Sequence, residues 1–130
     1  IHCKRNLKDV ALSIYKNYFD GGSIPWGYNE KYLSSFIEEY QSLMDYWNKK
    51  MPSEIYECQY ENMVNNQAQE ISDILKFCNL NWEENCLDHT KNKAGIKTVS
   101  ISQARQPVYK SSVNLYENYL DHLSFLKQIR

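Results

Sequence analysis

The stretch Lys4-Arg5-Asn6-Leu7-Lys8-Asp9-Val10-Ala11-Leu12-Ser13-Ile14-Tyr15 decides how this chain is read. Before it, Ile1-His2-Cys3 has the character of the end of a buried strand, and Lys4-Arg5-Asn6 breaks that apolar run abruptly. From Asp9 the apolar spacing becomes that of a helix, with Val10, Ile14 and Phe19 on one side and Leu12 and Tyr15 beside them. Asn6 or Asp9 can cap its start, because a short side-chain oxygen satisfies the first free helical N–H groups. A strand that runs into a helix N-terminus is a natural anion site in an α/β fold. Arg5 stands at the tip of this junction and Ser13 lies two helical turns beyond it. A guanidinium there can fork onto a phosphate, each charge-assisted bond contributing roughly 1.5–3 kcal/mol net. The plainer reading is a strand–loop–helix junction whose arginine caps a carbonyl or faces water, and on these residues alone it is preferred.

A chain of 130 residues is one domain's worth, or a piece of a larger one. Its formal net charge of −1 gives no bulk attraction to nucleic acid or to an anionic membrane. No apolar run approaches the roughly 20 residues that a membrane helix needs. A cytoplasmic location is the expectation, although a chain that opens on Ile1 rather than methionine says little about targeting signals. Cys3, Cys58, Cys78 and Cys86 are scattered. Cys78, Cys86 and His89 are near one another in sequence, but their spacing fits no zinc pattern and a fourth ligand is missing. Buried reduced thiols, and no metal, are expected.

Residues 20–27, which contain Pro25 and Gly27, read as a loop. Trp26 within it is either a core plug or an aromatic wall for a substrate. Asn29 caps a long helix in which Tyr32, Leu33, Phe36, Ile37, Tyr40, Leu43, Met44 and Trp47 recur at three- and four-residue steps. That stripe is expected to be core packing, and Lys49, Lys50 and Pro52 mark the helix end. Residues 55–60 form the second strand candidate. Residues 67–77 read as a helix with Ala68, Ile71, Ile74, Leu75 and Cys78 inward, and Trp82 packs under a short helix over 83–87. Residues 89–95 are polar and read as a loop. A final helical part is expected over 108–129, with Val113, Tyr116, Leu120, Leu123 and Leu126 inward.

Two short strands separated by a long helix imply a parallel β-α-β arrangement, and parallel sheets are covered on both faces. Two strands cannot make such a sheet alone. The expectation is therefore an α/β fold in which residues 1–130 are the helix-rich C-terminal part of one larger domain, with most strands lying upstream of Ile1.

Three stretches then line up. The first is Arg5-Asn6-x-x-Asp9-x-x-x-Ser13. The second is Tyr60-Glu61-Asn62-Met63-Val64, followed by a helix ending in Ile74-Leu75-Lys76-Phe77-Cys78-Asn79-Leu80-Asn81-Trp82. The third runs Lys97-Thr98-Val99-Ser100-Ile101-Ser102-Gln103-Ala104-Arg105-Gln106-Pro107-Val108-Tyr109-Lys110-Ser111-Ser112. In this order and spacing they resemble the sulfotransferase family, in particular its bacterial branch related to tyrosylprotein sulfotransferases.

The resemblance implies a P-loop-type three-layer domain that transfers a sulfuryl group from 3′-phosphoadenosine 5′-phosphosulfate (PAPS) to a hydroxyl acceptor, without a metal. It implies that Arg5 and Ser13 hold the 3′-phosphate of the nucleotide and that Tyr60 contacts the nucleotide. The third motif would form a loop over the adenosine and its phosphate, through Ser100, Gln103, Arg105, Pro107, Val108, Tyr109 and Lys110. A doubly charged phosphate calls for such a fork donor, hydroxyl and backbone N–H groups. Where relatives carry a basic residue in a Gly-Arg-Trp-like triplet, this chain has Asn114-Leu115-Tyr116, so Lys110 or Lys97 would have to supply that charge. The family's glycine-containing phosphosulfate loop and its usual base lie upstream of the region matched. No catalytic residue is therefore assigned, His2 is read as a strand-end histidine, and this span by itself is expected to be inactive. The alternative is a non-catalytic, helix-rich interaction module or a degenerate domain of the same family, with the Tyr32-to-Trp47 stripe as its partner surface.

Overall fold

The computed structural model describes residues 1–19, 22, 24–88, 90 and 106–130. Within them lie a two-stranded parallel sheet, four α-helices and several 3-10 turns. The chain divides into two compact units, one made of Ile1–Lys4 with Tyr56–Ser111, the other of Arg5–Ile55 with Ser112–Arg130.

In the first unit, β1 (His2–Lys4) pairs in parallel with β2 (Glu57–Gln59), with His2, Cys3 and Lys4 opposite Glu57, Cys58 and Gln59. The expected parallel pairing is thus present, with both strands only three residues long. Lys4 Nζ donates to Glu57 Oε2 at 2.9 Å, and His2 Nδ1 lies 3.7 Å from Glu57 Oε1, which leaves His2 as the strand-end residue expected. After β2 follow α3 (Tyr60–Asn65) and α4 (Gln67–Phe77), the second with the bounds its sequence spacing predicts. Ile71, Ile74 and Leu75 are half-buried as expected, whereas Ala68 and Cys78 are exposed and Glu70 is buried in their place. Trp82 is exposed rather than packed beneath the 3-10 turn Glu84–Leu87, and its indole N–H donates to Glu84 Oε1 at 3.1 Å. Of the four cysteines only Cys58 is buried; Cys3, Cys78 and Cys86 are exposed free thiols, against the expectation of four buried ones.

In the second unit, α1 (Leu7–Lys16) starts two residues earlier than the apolar spacing suggests, and Asn6 is its cap: Oδ1 accepts from the N–H groups of Lys8 (2.9 Å) and Asp9 (3.4 Å). Asn29 caps α2 (Glu30–Lys50) as expected, through the N–H of Tyr32. Between them, Pro25–Tyr28 form a 3-10 turn. A Cβ at Gly27 would lie 2.7 Å from Ile14 Cγ2, so this turn packs on α1 only because it has glycine there. Trp26 stacks on Phe36, ring centroids 4.0 Å apart, and packs against the core, which makes it a plug.

The core of this unit gathers Ala11 of α1, Leu33 and Ile37 of α2, and Phe125, Leu126 and Ile129 near the C-terminal end. Two expectations fail here. Of the long aromatic stripe on α2 only Leu33 and Ile37 are buried; Tyr40 and Met44 are half-buried, and Tyr32, Phe36, Leu43 and Trp47 are exposed. The continuous helix expected over 108–129 is replaced by two short 3-10 turns, Leu115–Tyr119 and Ser124–Lys127. Asn114 stands before the first of them in the left-handed region (φ 56°), which interrupts any right-handed helix.

Candidate functional site

The start of α1 gathers charge-assisted contacts to the 112–116 turn. Arg5 precedes the cap and is half-buried. Its Nη2 donates to the main-chain carbonyl of Ser112 at 2.5 Å and lies 3.9 Å from Asp9 Oδ2. The Asp9 side chain is completely buried, and it serves the backbone rather than the cap. Oδ2 accepts from the N–H of Asn114 at 2.8 Å, and Oδ1 accepts from the N–H of Tyr116 at 2.9 Å. Lys8 Nζ sits 5.5 Å from the centre of the Tyr116 ring, within cation–π range. The turn at 112–116 is therefore gripped from two sides, its carbonyl by a cation and its amides by an anion. The sequence signal for this was present, an acid four residues after an arginine, but nothing local indicates that its acceptors reach a segment over a hundred residues away.

Ser13 lies one turn beyond Asp9 on the same helix face, about 9 Å of helix rise from Leu7. It is half-buried, and its Oγ accepts from Asn17 Nδ2 at 3.3 Å, which leaves the hydroxyl hydrogen to donate. Arg5 and Ser13 thus flank one helical segment, and the last residue of the third motif, Ser112, is in direct contact with Arg5. Leu115 follows Asn114 in the gripped turn, where it is the main-chain N–H groups of its two neighbours that are used.

The other residues named from sequence belong to the first unit. Tyr60 opens α3 and is half-buried. Pro107, Val108 and Lys110 are exposed and Tyr109 is half-buried, in a stretch without helix or strand. Ser100, Gln103, Arg105 and Lys97 lie outside the described residues, as does His89 of the considered metal set. Among the described residues no group of His, Cys, Asp and Glu is arranged to hold a metal ion, and no helix is long and apolar enough to cross a membrane.

The first unit carries a polar cluster that sequence reading missed. The Tyr56 hydroxyl donates to Glu70 Oε1 at 3.1 Å, and the Tyr56 ring packs on Phe77 with centroids 5.5 Å apart. Burial, reinforced by the Glu70 carboxylate, pushes the Tyr56 phenol up to about 12. Burial likewise raises the Cys58 thiol, with Glu70 and Cys3 adding to the effect, so Cys58 is a poor nucleophile.

A profile of the sulfotransferase family matches residues 1–84. Over 126 residues, 95% of its length, the chain is 33% identical to an uncharacterized protein of Aquifex aeolicus (strain VF5), of which it spans 17%. Over 99 residues, 68% of its length, it is 30% identical to Sulfotransferase 1B1 of Canis lupus familiaris, of which it spans 32%. The chain is thus much shorter than either relative. No solved structure matches it.

Proposed function

The chain belongs to the sulfotransferase family, and from that premise we propose that it is the nucleotide-binding, C-terminal portion of an enzyme that moves a sulfuryl group from PAPS to a hydroxyl acceptor. The observation that carries this reading is the half-buried Arg5 guanidinium, held by the Ser112 carbonyl at the approach to α1 with Ser13 further along the same helix. A phosphate is well served by this donor set: a planar fork that is always charged, a hydroxyl with a hydrogen to give, and a helix start that favours anions.

In this reading Arg5 and Ser13 bind the 3′-phosphate of the donor. In the transfer itself the acceptor oxygen bonds to sulfur while the sulfur–oxygen bond to the nucleotide phosphate breaks, the pair of electrons leaving on that phosphate. The residues described here bind and orient; none is assigned as the base that takes the acceptor proton. The wider architecture would be the P-loop-type three-layer domain, with the remaining strands on an upstream part of the polypeptide.

The test is Arg5→Ala in the full-length polypeptide, with calorimetric titration of adenosine 3′,5′-bisphosphate and of adenosine 5′-phosphosulfate. Loss of the charge-assisted bonds is expected to cost roughly 2–4 kcal/mol, on the order of 30- to 1000-fold, for the bisphosphate. Adenosine 5′-phosphosulfate, which lacks the 3′-phosphate, should hardly respond. Equal losses for both ligands would remove Arg5 from the site. Failure of the unaltered protein to bind either nucleotide would favour a non-catalytic module, for which the exposed Tyr32, Phe36, Leu43 and Trp47 face of α2 is suited.

A further inference from the structure

The Asp9 carboxylate has no place among the groups that would touch a nucleotide, since it is an anion, wholly buried, with both oxygens occupied by main-chain N–H groups. Those amides belong to the turn whose carbonyl, at Ser112, receives the Arg5 guanidinium. The contacts form a closed circuit: Asp9 fixes the 112–116 turn, the turn presents the Ser112 carbonyl, and that carbonyl aims Arg5. The left-handed backbone of Asn114 lies within this circuit, so the turn has a defined shape to be held in.

We infer that Asp9 is a positioning residue for phosphate recognition, acting through the 112–116 turn to hold the Arg5 fork in its binding orientation, an inference that rests on the reading of Arg5 as the 3′-phosphate ligand. A long arginine side chain has many rotamers, and fixing one before the ligand arrives removes an ordering cost from binding. The alternative role for Asp9 is electrostatic. A carboxylate 3.9 Å from the guanidinium competes with any incoming phosphate for its charge. The two roles predict opposite signs for one substitution. If charge competition dominates, Asp9→Asn tightens phosphate binding. If positioning dominates, Asp9→Asn weakens it, because the amide keeps only one of the two acceptor oxygens and its NH2 group confronts a backbone donor.

The experiment titrates adenosine 3′,5′-bisphosphate and adenosine 5′-phosphosulfate into full-length wild type and Asp9→Asn by calorimetry, with hydrogen exchange followed at the amides of Asn114 and Tyr116. Positioning predicts roughly tenfold weaker binding of the bisphosphate, little change for the phosphosulfate, and faster exchange at both amides. Unchanged or tighter bisphosphate binding, or unchanged exchange, overturns the inference. Should Asp9→Asn fail to melt cooperatively, Asp9→Glu carries the same comparison: it keeps the charge but displaces the carboxylate by one methylene. At least a threefold loss confined to the bisphosphate is then expected, and wild-type affinity overturns the inference. If wild type itself does not distinguish the two nucleotides, it is the reading of Arg5 that fails, a result visible before any Asp9 variant is measured.

Discussion

Asp9 and Glu70 are both buried carboxylates, and the molecule solves the cost of burying them in two different ways. Asp9 takes hydrogen bonds from two main-chain amides with an arginine nearby, a set of donors that holds a negative charge well. Glu70 takes a phenol hydroxyl and lies against a thiol, both of which answer by holding their own protons more tightly. The first arrangement organises backbone from a distant part of the sequence. The second organises side chains around one strand and one helix. A buried acid is thus a positioning device in one unit and a local packing polar group in the other, and only its donors distinguish the two.

The comparison is broken most sharply by Asp9→Ala, which leaves two amides without acceptors and the guanidinium without its neighbour. A loss of about 3 kcal/mol in urea unfolding of the full-length polypeptide is expected. An effect below about 1 kcal/mol would show that water replaces the carboxylate. Glu70→Gln keeps an acceptor for the Tyr56 hydroxyl and removes the charge, so a smaller loss, about 1–2 kcal/mol, is expected. In that variant the Tyr56 phenol should titrate closer to its ordinary value, read by NMR of ring-labelled tyrosine; no movement would exclude Glu70 as a contributor.

Tyr56→Phe sharpens the same contrast through pH. Unfolded Tyr56 loses its proton near 10.0, whereas the folded group holds it to about 12. Its contribution is therefore fully present below pH 10 and is lost as pH rises from 10 to 12. The stability difference between wild type and Tyr56→Phe, about 1 kcal/mol near neutrality for one hydrogen bond, should shrink over that window and stay level beneath it. A difference that is flat up to pH 12 would contradict the raised phenol. Smallest of all is Lys8→Met, which removes the cation over Tyr116 and should cost about 0.5 kcal/mol. A loss matching that of Asp9→Ala would mean that the ring contact, not the carboxylate, secures the turn.

Local order is what the amino-acid sequence determined by itself. Asn6 is one of the two caps that the short polar side chains at the start of α1 offer, and it is the one used, while the helix 67–77 has the bounds its spacing implies. The strand at each motif and their parallel pairing were legible because a long helical connection between two short strands leaves few alternatives. Arg5 and Ser13 lie within one strand-to-helix junction, where spacing alone sets the face each side chain takes. Tertiary structure decided the rest. Tyr32, Phe36, Leu43 and Trp47 have helical spacing, but spacing names only a face; burial needs a partner, and of that α2 stripe it is Leu33 and Ile37 that join Phe125, Leu126 and Ile129 in the buried core. The apolar residues from Val113 to Leu126 have helical spacing too. Yet the amides of Asn114 and Tyr116 are claimed by Asp9 and Asn114 turns left-handed, so a donor that a helix would have used internally is spent on a contact more than a hundred residues away. No window of sequence contains both ends of such a bond.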